Sequence, residues 1–153
     1  MATNVLPLFR SPREFVLEIT LQHAGGAQFV AQARQHRLLL DQPIEDGATD
    51  HGMSPAELLL ASLGGCIGQY VAQYLQLRGL STEGLRVRVN ARPSSRPLRL
   101  KDFQIEVIVP GLNDRQLRAL QKSFPVGLVQ NAITLENTLR ITAVSAHTED
   151  VQP

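Results

Sequence analysis

SPAELLLASLGGCIGQYVAQYLQLRGL, residues 54–80, carries the strongest helical signal in this 153-residue chain and its only cysteine, Cys66. Three signals agree on where the helix starts. Ser54 suits the N-cap, Pro55 suits the first helical position, and Glu57 completes a Ser-x-x-Glu capping box. Gly79 supplies the stop. In the first half Leu58, Leu59, Leu60, Leu63 and Ile67 point all around the axis, and Val71, Leu75 and Leu77 continue the apolar pattern. That distribution predicts a helix covered on several sides, at the centre of the core. Around Cys66 the small residues Ala61, Ser62, Gly64, Gly65 and Gly68 lower helix propensity, a loss that makes sense where another backbone or a ligand comes close.

Outward from this helix, Phe15, Leu17, Ile19 and Leu21 alternate with polar or smaller residues, and Gly25-Gly26 separates them from the run Gln28 to Arg34. This predicts a hairpin. HRLLLD, residues 36–41, fits a third short strand, and a polar loop containing Pro43, Asp46, Gly47, Asp50 and Gly52 then leads into the helix. After Gly79, Leu85, Val87, Val89 and Ala91 alternate with Arg86, Arg88 and Asn90, a clean strand signal. ARPSSRP reads as a turn, residues 98–109 as a longer strand with Phe103, Ile105, Val107 and Val109 inward, and RQLRALQKS as a helix capped by Asn113 or Asp114. Pro125 interrupts it, VGLVQNAI resumes helical spacing, and a last strand is expected near Thr138 to Ser145. Strands on both sides of a central helix, joined by hairpin-length links, argue an α+β fold with a largely antiparallel sheet around the helix.

Composition bounds the rest. With 43% apolar residues and no Pro- or Ser-rich linker, the chain is expected to form one domain over residues 1–153. Fifteen Lys and Arg against fourteen acidic residues leave a net charge of +1, which gives no electrostatic argument for nucleic acid or an anionic membrane. The longest mainly apolar run, Leu58 to Ile67, is too short to span a bilayer. The N-terminus has neither a basic n-region nor a clear apolar h-region, so a cytoplasmic protein is expected. One cysteine cannot form an internal disulfide, in keeping with a reducing compartment.

The residues SPAELLLASLGGC, followed by a helix ending in a Gly-Leu turn, resemble the OsmC/organic hydroperoxide resistance family of thiol peroxidases. More loosely the resemblance covers most of the chain, including the strands before the helix, two strands after it and the stretch SFPVGLVQNAI, residues 123–133. It implies an OsmC-like fold, with a mainly antiparallel sheet wrapped around a buried central helix, in an intertwined homodimer with sites at the subunit interface. It also implies that Cys66 attacks the peroxide and that an arginine from the N-terminal strand region activates it. Arg34 and Arg37 flank the matching place, Arg13 is a third candidate, and each reads equally well as a solvated strand-end arginine. The family usually offers a second, resolving cysteine in the later stretch, where this chain has Phe124 before Pro125. The family's glutamate often follows the proline directly, and here Ala56 holds that position.

Taken on its own chemistry, a lone buried cysteine is either an inert small hydrophobe or a reactive thiol. Lowering a thiol from about 8.5 to about 5.5 takes roughly 4 kcal/mol of preferential stabilisation of the thiolate. A helix N-terminus about three turns away cannot supply that alone, so a cation from elsewhere is required. Glu57 could orient such a cation, but nine residues at about 100° each place it on the far side of the helix from Cys66. Its capping role is the better reading, and a site role the alternative.

His23, His36, His51 and His147 show no metal spacing, so neither metal nor cofactor is expected. Gly64-Gly65 lacks a phosphate loop's context and implies close packing or room beside the thiol. Arg86, Arg88, Arg92, Arg96, Arg99 and Lys101 read as the wet face of a hairpin, balanced by Glu106 across the strand. Tyr70 and Tyr74 either line an apolar pocket or simply pack. Two functions remain open. One is a thiol-dependent peroxidase that reduces organic hydroperoxides through Cys66 and is recycled by an external thiol. The other is a non-catalytic member of the same fold that binds a small apolar ligand at the dimer interface.

Overall fold

The computed structural model describes residues 17–124 and 139–145. The expectations for Arg13, Phe15 and the VGLVQNAI stretch fall outside them. The chain divides into two compact units, Met1–Leu59 and Leu60–Pro153.

In the first unit β1 (Thr20–Gly25), β2 (Gln28–Ala33) and β3 (His36–Leu40) form an antiparallel sheet in that order. Gly26 and Ala27 make the first turn, with Gly25 and Gly26 both at positive φ, and Arg34, at φ 55, stands in the second. The register brings Leu21, Ala31 and Leu38 side by side on one face. Much of this sheet's apolar surface stays uncovered, with Leu21 51% and Leu38 43% exposed.

The polar loop after β3 is organised by Asp41, which is only 1% exposed. Its carboxylate accepts hydrogen bonds from the Thr49 hydroxyl, the His51 N–H, the Gln42 N–H and the Gln28 side-chain amide. The same Gln28 amide reaches Thr49 Oγ1 at 2.9 Å and His51 Nδ1 at 3.1 Å, tying β2 to the loop. Gly52 lies so close to the Leu39 carbonyl that a Cβ there would sit 2.4 Å from its oxygen, so only glycine lets the chain pass. The Thr49 hydroxyl, and after it the His51 N–H, hold the Asp41 carboxyl well below its ordinary value. The folded value is therefore the lower one, so this contribution to stability is present above the unfolded value of 3.8 and is lost as pH falls. Thermal unfolding followed from neutral pH down through about pH 4 should show a weaker acid dependence in Asp41→Asn than in the parent. Parallel curves would contradict this role.

The central helix α1 (Pro55–Gln76) begins as its sequence requires. The Ser54 N–H and hydroxyl both donate to the Glu57 carboxylate, at 2.7 and 2.9 Å, and the Glu57 N–H returns a bond to Ser54 Oγ at 3.3 Å. At the other end Gly79, at φ 64, lets the Leu80 N–H reach the Leu75 carbonyl and its own N–H reach Gln76. This is the left-handed stop that glycine favours.

In the second unit β4 (Arg86–Ser95) and β5 (Leu98–Ile108) form an antiparallel hairpin. Here ARPSSRP is not a turn throughout. The strands stay paired to Ser95 and Leu98, leaving Arg96-Pro97 to reverse the chain, because a bulge after Asn90 keeps the two arms in step. β6 (Leu139–Val144) joins β5 in parallel, the one parallel pairing in sheets that are otherwise antiparallel among the described residues. α2 (Asp114–Ser123) is capped by Asn113, whose side chain accepts the Gln116 N–H while Gln116 accepts the Asn113 N–H.

Leu63, Ile67, Val71 and Leu75 of α1 pack with Phe103, Ile105, Val107, Val109 and Leu120 into one buried core. By length and composition alone α1 could cross a membrane, yet this face is committed to that core. The expected burial holds for Leu63, Ile67, Val71 and Leu75, whereas Leu59 and Leu77 are 40% and 49% exposed.

Candidate thiol site

Cys66 is a free, half-buried thiol on α1. It follows directly on Gly64 and Gly65, and the two glycines do different things. A Cβ at Gly64 would stand 2.9 Å from Val89 Cγ2, so the helix lies against β4 at a distance only glycine permits. At Gly65 a Cβ would meet nothing within 4 Å. Close packing and open room, the two expectations for this pair, thus divide between neighbouring residues. Leu60, Ala61, Val87 and Val89 join both glycines around an open groove of about 380 Å³.

These glycines allow a paired test. Gly64→Ala should destabilise the protein by on the order of 1–3 kcal/mol from overpacking against the stiff Val89. That exceeds the roughly 1 kcal/mol of helix propensity gained. Gly65→Ala should instead gain up to about 1 kcal/mol, having only the propensity term. Urea midpoints that move together for the two variants would refute the assignment of close packing to Gly64 alone.

One turn beyond the thiol, the Tyr70 hydroxyl donates to the Ser123 carbonyl at 2.6 Å. Its ring lies 6.3 Å from that of Phe124, which closes α2. The residue standing where a resolving thiol would be expected is therefore packed against the helix that carries Cys66. A further turn on, Tyr74 lies 6.4 Å from Tyr70 and beneath the Arg78 guanidinium, which is 3.7 Å from its ring centroid. Both tyrosines pack, and Tyr74 also lines a pocket.

Of the other candidates, Glu57 is held by Ser54, whose N–H and then hydroxyl lower its carboxyl from the ordinary value. On the same straight helix it is about 13 Å of rise from Cys66 and on the opposite face. Arg34 and Arg37 are exposed and belong to the first unit, and neither guanidinium has a hydrogen-bond or ion-pair partner among the described residues. Among the described residues no three His, Cys, Asp or Glu side chains could share a metal ion. Arg88, well exposed, pairs with the half-buried Glu106 at 2.7 Å, in keeping with the wet-face reading.

Sequence reasoning missed the Asp41 network, which no local spacing announces. It also missed the Tyr74–Arg78 stack, which an arginine one turn after a tyrosine could have signalled.

A half-buried thiol midway along a long core helix, packed on a mixed three-stranded sheet and preceded in the chain by an antiparallel one, defines an α+β protein of thiol-bearing type. The family model described as OsmC-like protein matches residues 47–142, more than half of the sequence. The chain belongs to the OsmC family. No curated protein sequence matches it.

Among solved structures, a putative osmotic stress induced and detoxification response protein from Psychrobacter arcticus is similar over 88% of this chain and 100% of its own. The TM-score is 0.74 at 15% identity. An OsmC-like protein from Mycoplasma pneumoniae gives 0.71 at 15% identity, over 88% of this chain and 100% of its own. An organic hydroperoxide resistance protein from Elizabethkingia anophelis gives 0.65 at 15% identity over the same shares. At such identities these likenesses establish the fold.

Proposed function

We propose that this protein is a thiol-dependent peroxidase that reduces organic hydroperoxides at Cys66. The observation that carries the reading is a half-buried free thiol beside the open edge at Gly65 in an OsmC-family helix. The Elizabethkingia relative, described as an organic hydroperoxide resistance protein, supports the substrate class. In the reaction the Cys66 thiolate attacks the terminal peroxide oxygen, the O–O bond breaks, and the alkoxide takes a proton and leaves as alcohol. Sulfur is oxidised by two electrons to a sulfenic acid, and the peroxide is reduced by two. An external thiol then attacks the sulfenic sulfur, releasing water and forming a mixed disulfide, and a second thiol attacks the external sulfur, so that Cys66 leaves as thiolate and the two external thiols leave joined as a disulfide.

Arg34 or Arg37 supplies the cation that favours the thiolate in this proposal, while Glu57 stays with its cap at Ser54. Replacing the responsible arginine by Ala should slow alkylation of Cys66 near pH 6 by about tenfold or more while leaving the rate above about pH 9 nearly unchanged. Equal rates at both pH values in both variants would leave the thiol without either activator.

The second reading, binding of a small apolar ligand without turnover, is favoured by Phe124, which puts an aromatic ring where the family offers a resolving thiol. A thiol alkylated only near or above about pH 8.5 would favour it.

The proposal also includes a cytoplasmic homodimer. Leu17, Ile19, Leu21, Leu38 and Leu59, large apolar side chains of the first unit left exposed, support it as surface for a second copy. Light scattering should give twice the chain mass at low micromolar concentration. A folded monomer there would overturn the dimer.

A further inference from the structure

We propose that the pocket between the C-terminal end of α1 and the start of α2, remote from the thiol, binds a small organic carboxylate with an apolar body. Tyr74 lies two turns, about 12 Å, beyond Cys66, so this is a separate site. The cavity holds about 370 Å³, within the range of small-ligand pockets. All of its lining residues belong to the second unit.

The polar groups around it are nearly all donors. Arg78 is exposed and anchored by its stack on Tyr74, and it uses one N–H on the Tyr74 carbonyl at a long 3.4 Å. Arg115 faces the same pocket from α2, and its guanidinium has no partner among the described residues. The oxygens of Asn113 and Gln116 are spent on each other's backbone N–H groups in the helix cap, which leaves their side-chain NH2 groups as donors. No carboxylate lines the cavity.

Tyr74 points to a ligand independently. It is 93% buried and lines the cavity, yet its hydroxyl has no hydrogen-bond partner among the described residues. Buried hydroxyls rarely stay in that state. Leu80, Ala119 and the Tyr74 ring make the remainder apolar. An acceptor-rich, negatively charged head matches two guanidiniums and the donors beside them, and a short apolar tail matches Leu80 and Ala119.

The test uses Cys66→Ser protein, so that thiol chemistry plays no part, and calorimetric titration with octanoate, octanol and inorganic phosphate. Octanoate should bind saturably, one per chain, with octanol and phosphate each at least about tenfold weaker. Arg115 stands on an exposed position of α2, so Arg115→Ala should keep the parent melting temperature and weaken octanoate about tenfold. Tyr74→Phe, which retains the ring, should weaken it by a smaller factor. Failure of octanoate to saturate, affinity unchanged in both variants, or phosphate binding as tightly as octanoate would each overturn the proposal.

Discussion

Cys66→Ser protein is expected to consume no organic hydroperoxide and to gain no oxygen, whereas the parent treated with one equivalent should become one oxygen heavier. The contrast is all or none because the chain contains no second thiol. For the same reason the parent's sulfenic acid has no partner within its own chain. A small thiol should return it to the starting mass, excess peroxide should carry it irreversibly to the sulfinic acid, and no intramolecular disulfide should form. Intact-mass spectrometry reads all three outcomes. No oxygen adduct in the parent, together with no peroxide consumed in the presence of a dithiol, would sink the peroxidase reading and leave the apolar-ligand one standing.

Phe124→Cys is expected to change the product. The Phe124 ring packs at a tilt against Tyr70, one turn along α1 from Cys66, so a thiol at this position would be carried on the segment that the Tyr70 hydroxyl ties to α1 through Ser123. With one equivalent of hydroperoxide the sulfenic acid should now condense with the new thiol, releasing water and giving a disulfide two hydrogens lighter than the reduced protein. Further peroxide should then produce far less sulfinic acid than in the parent. Loss of a half-buried aromatic ring should lower stability by about 1–3 kcal/mol, so the experiment belongs well below the melting temperature. Sulfinic acid accumulating as fast as in the parent would show that position 124 cannot serve as the resolving position in this fold.

What the sequence reveals follows the range of the forces involved. The ends of α1 are written locally, since Ser54 and Glu57 satisfy one another within a single turn and Gly79 adopts a backbone angle other residues avoid. The inward alternation along Phe103, Ile105 and Val107 is legible for the same reason: a strand's two faces are set by its own period. The parallel pairing of β6 with β5 is not, because it joins segments some thirty residues apart and alternation is the same for either direction.

The covering of α1 misled for a related reason. Leucines around a helix report that cover is needed, and cannot say whether the same chain provides it. At the site, Cys66 stood out through its neighbours in sequence, while Tyr70's bond to Ser123 and the donor-lined pocket at Tyr74 depend on how α2 folds back on α1.

The Asp41 carboxylate holds the amide hydrogens of both Gln42 and His51, one at each end of an otherwise exposed loop. In deuterium oxide these two amides should behave as a linked pair of clocks. Each is shielded by the same oxygen-bearing group, so a single opening of the loop would release both at once, and their exchange should slow and quicken in step as temperature is varied. The amide of Ala48, bonded instead to the Pro43 carbonyl, should keep time of its own.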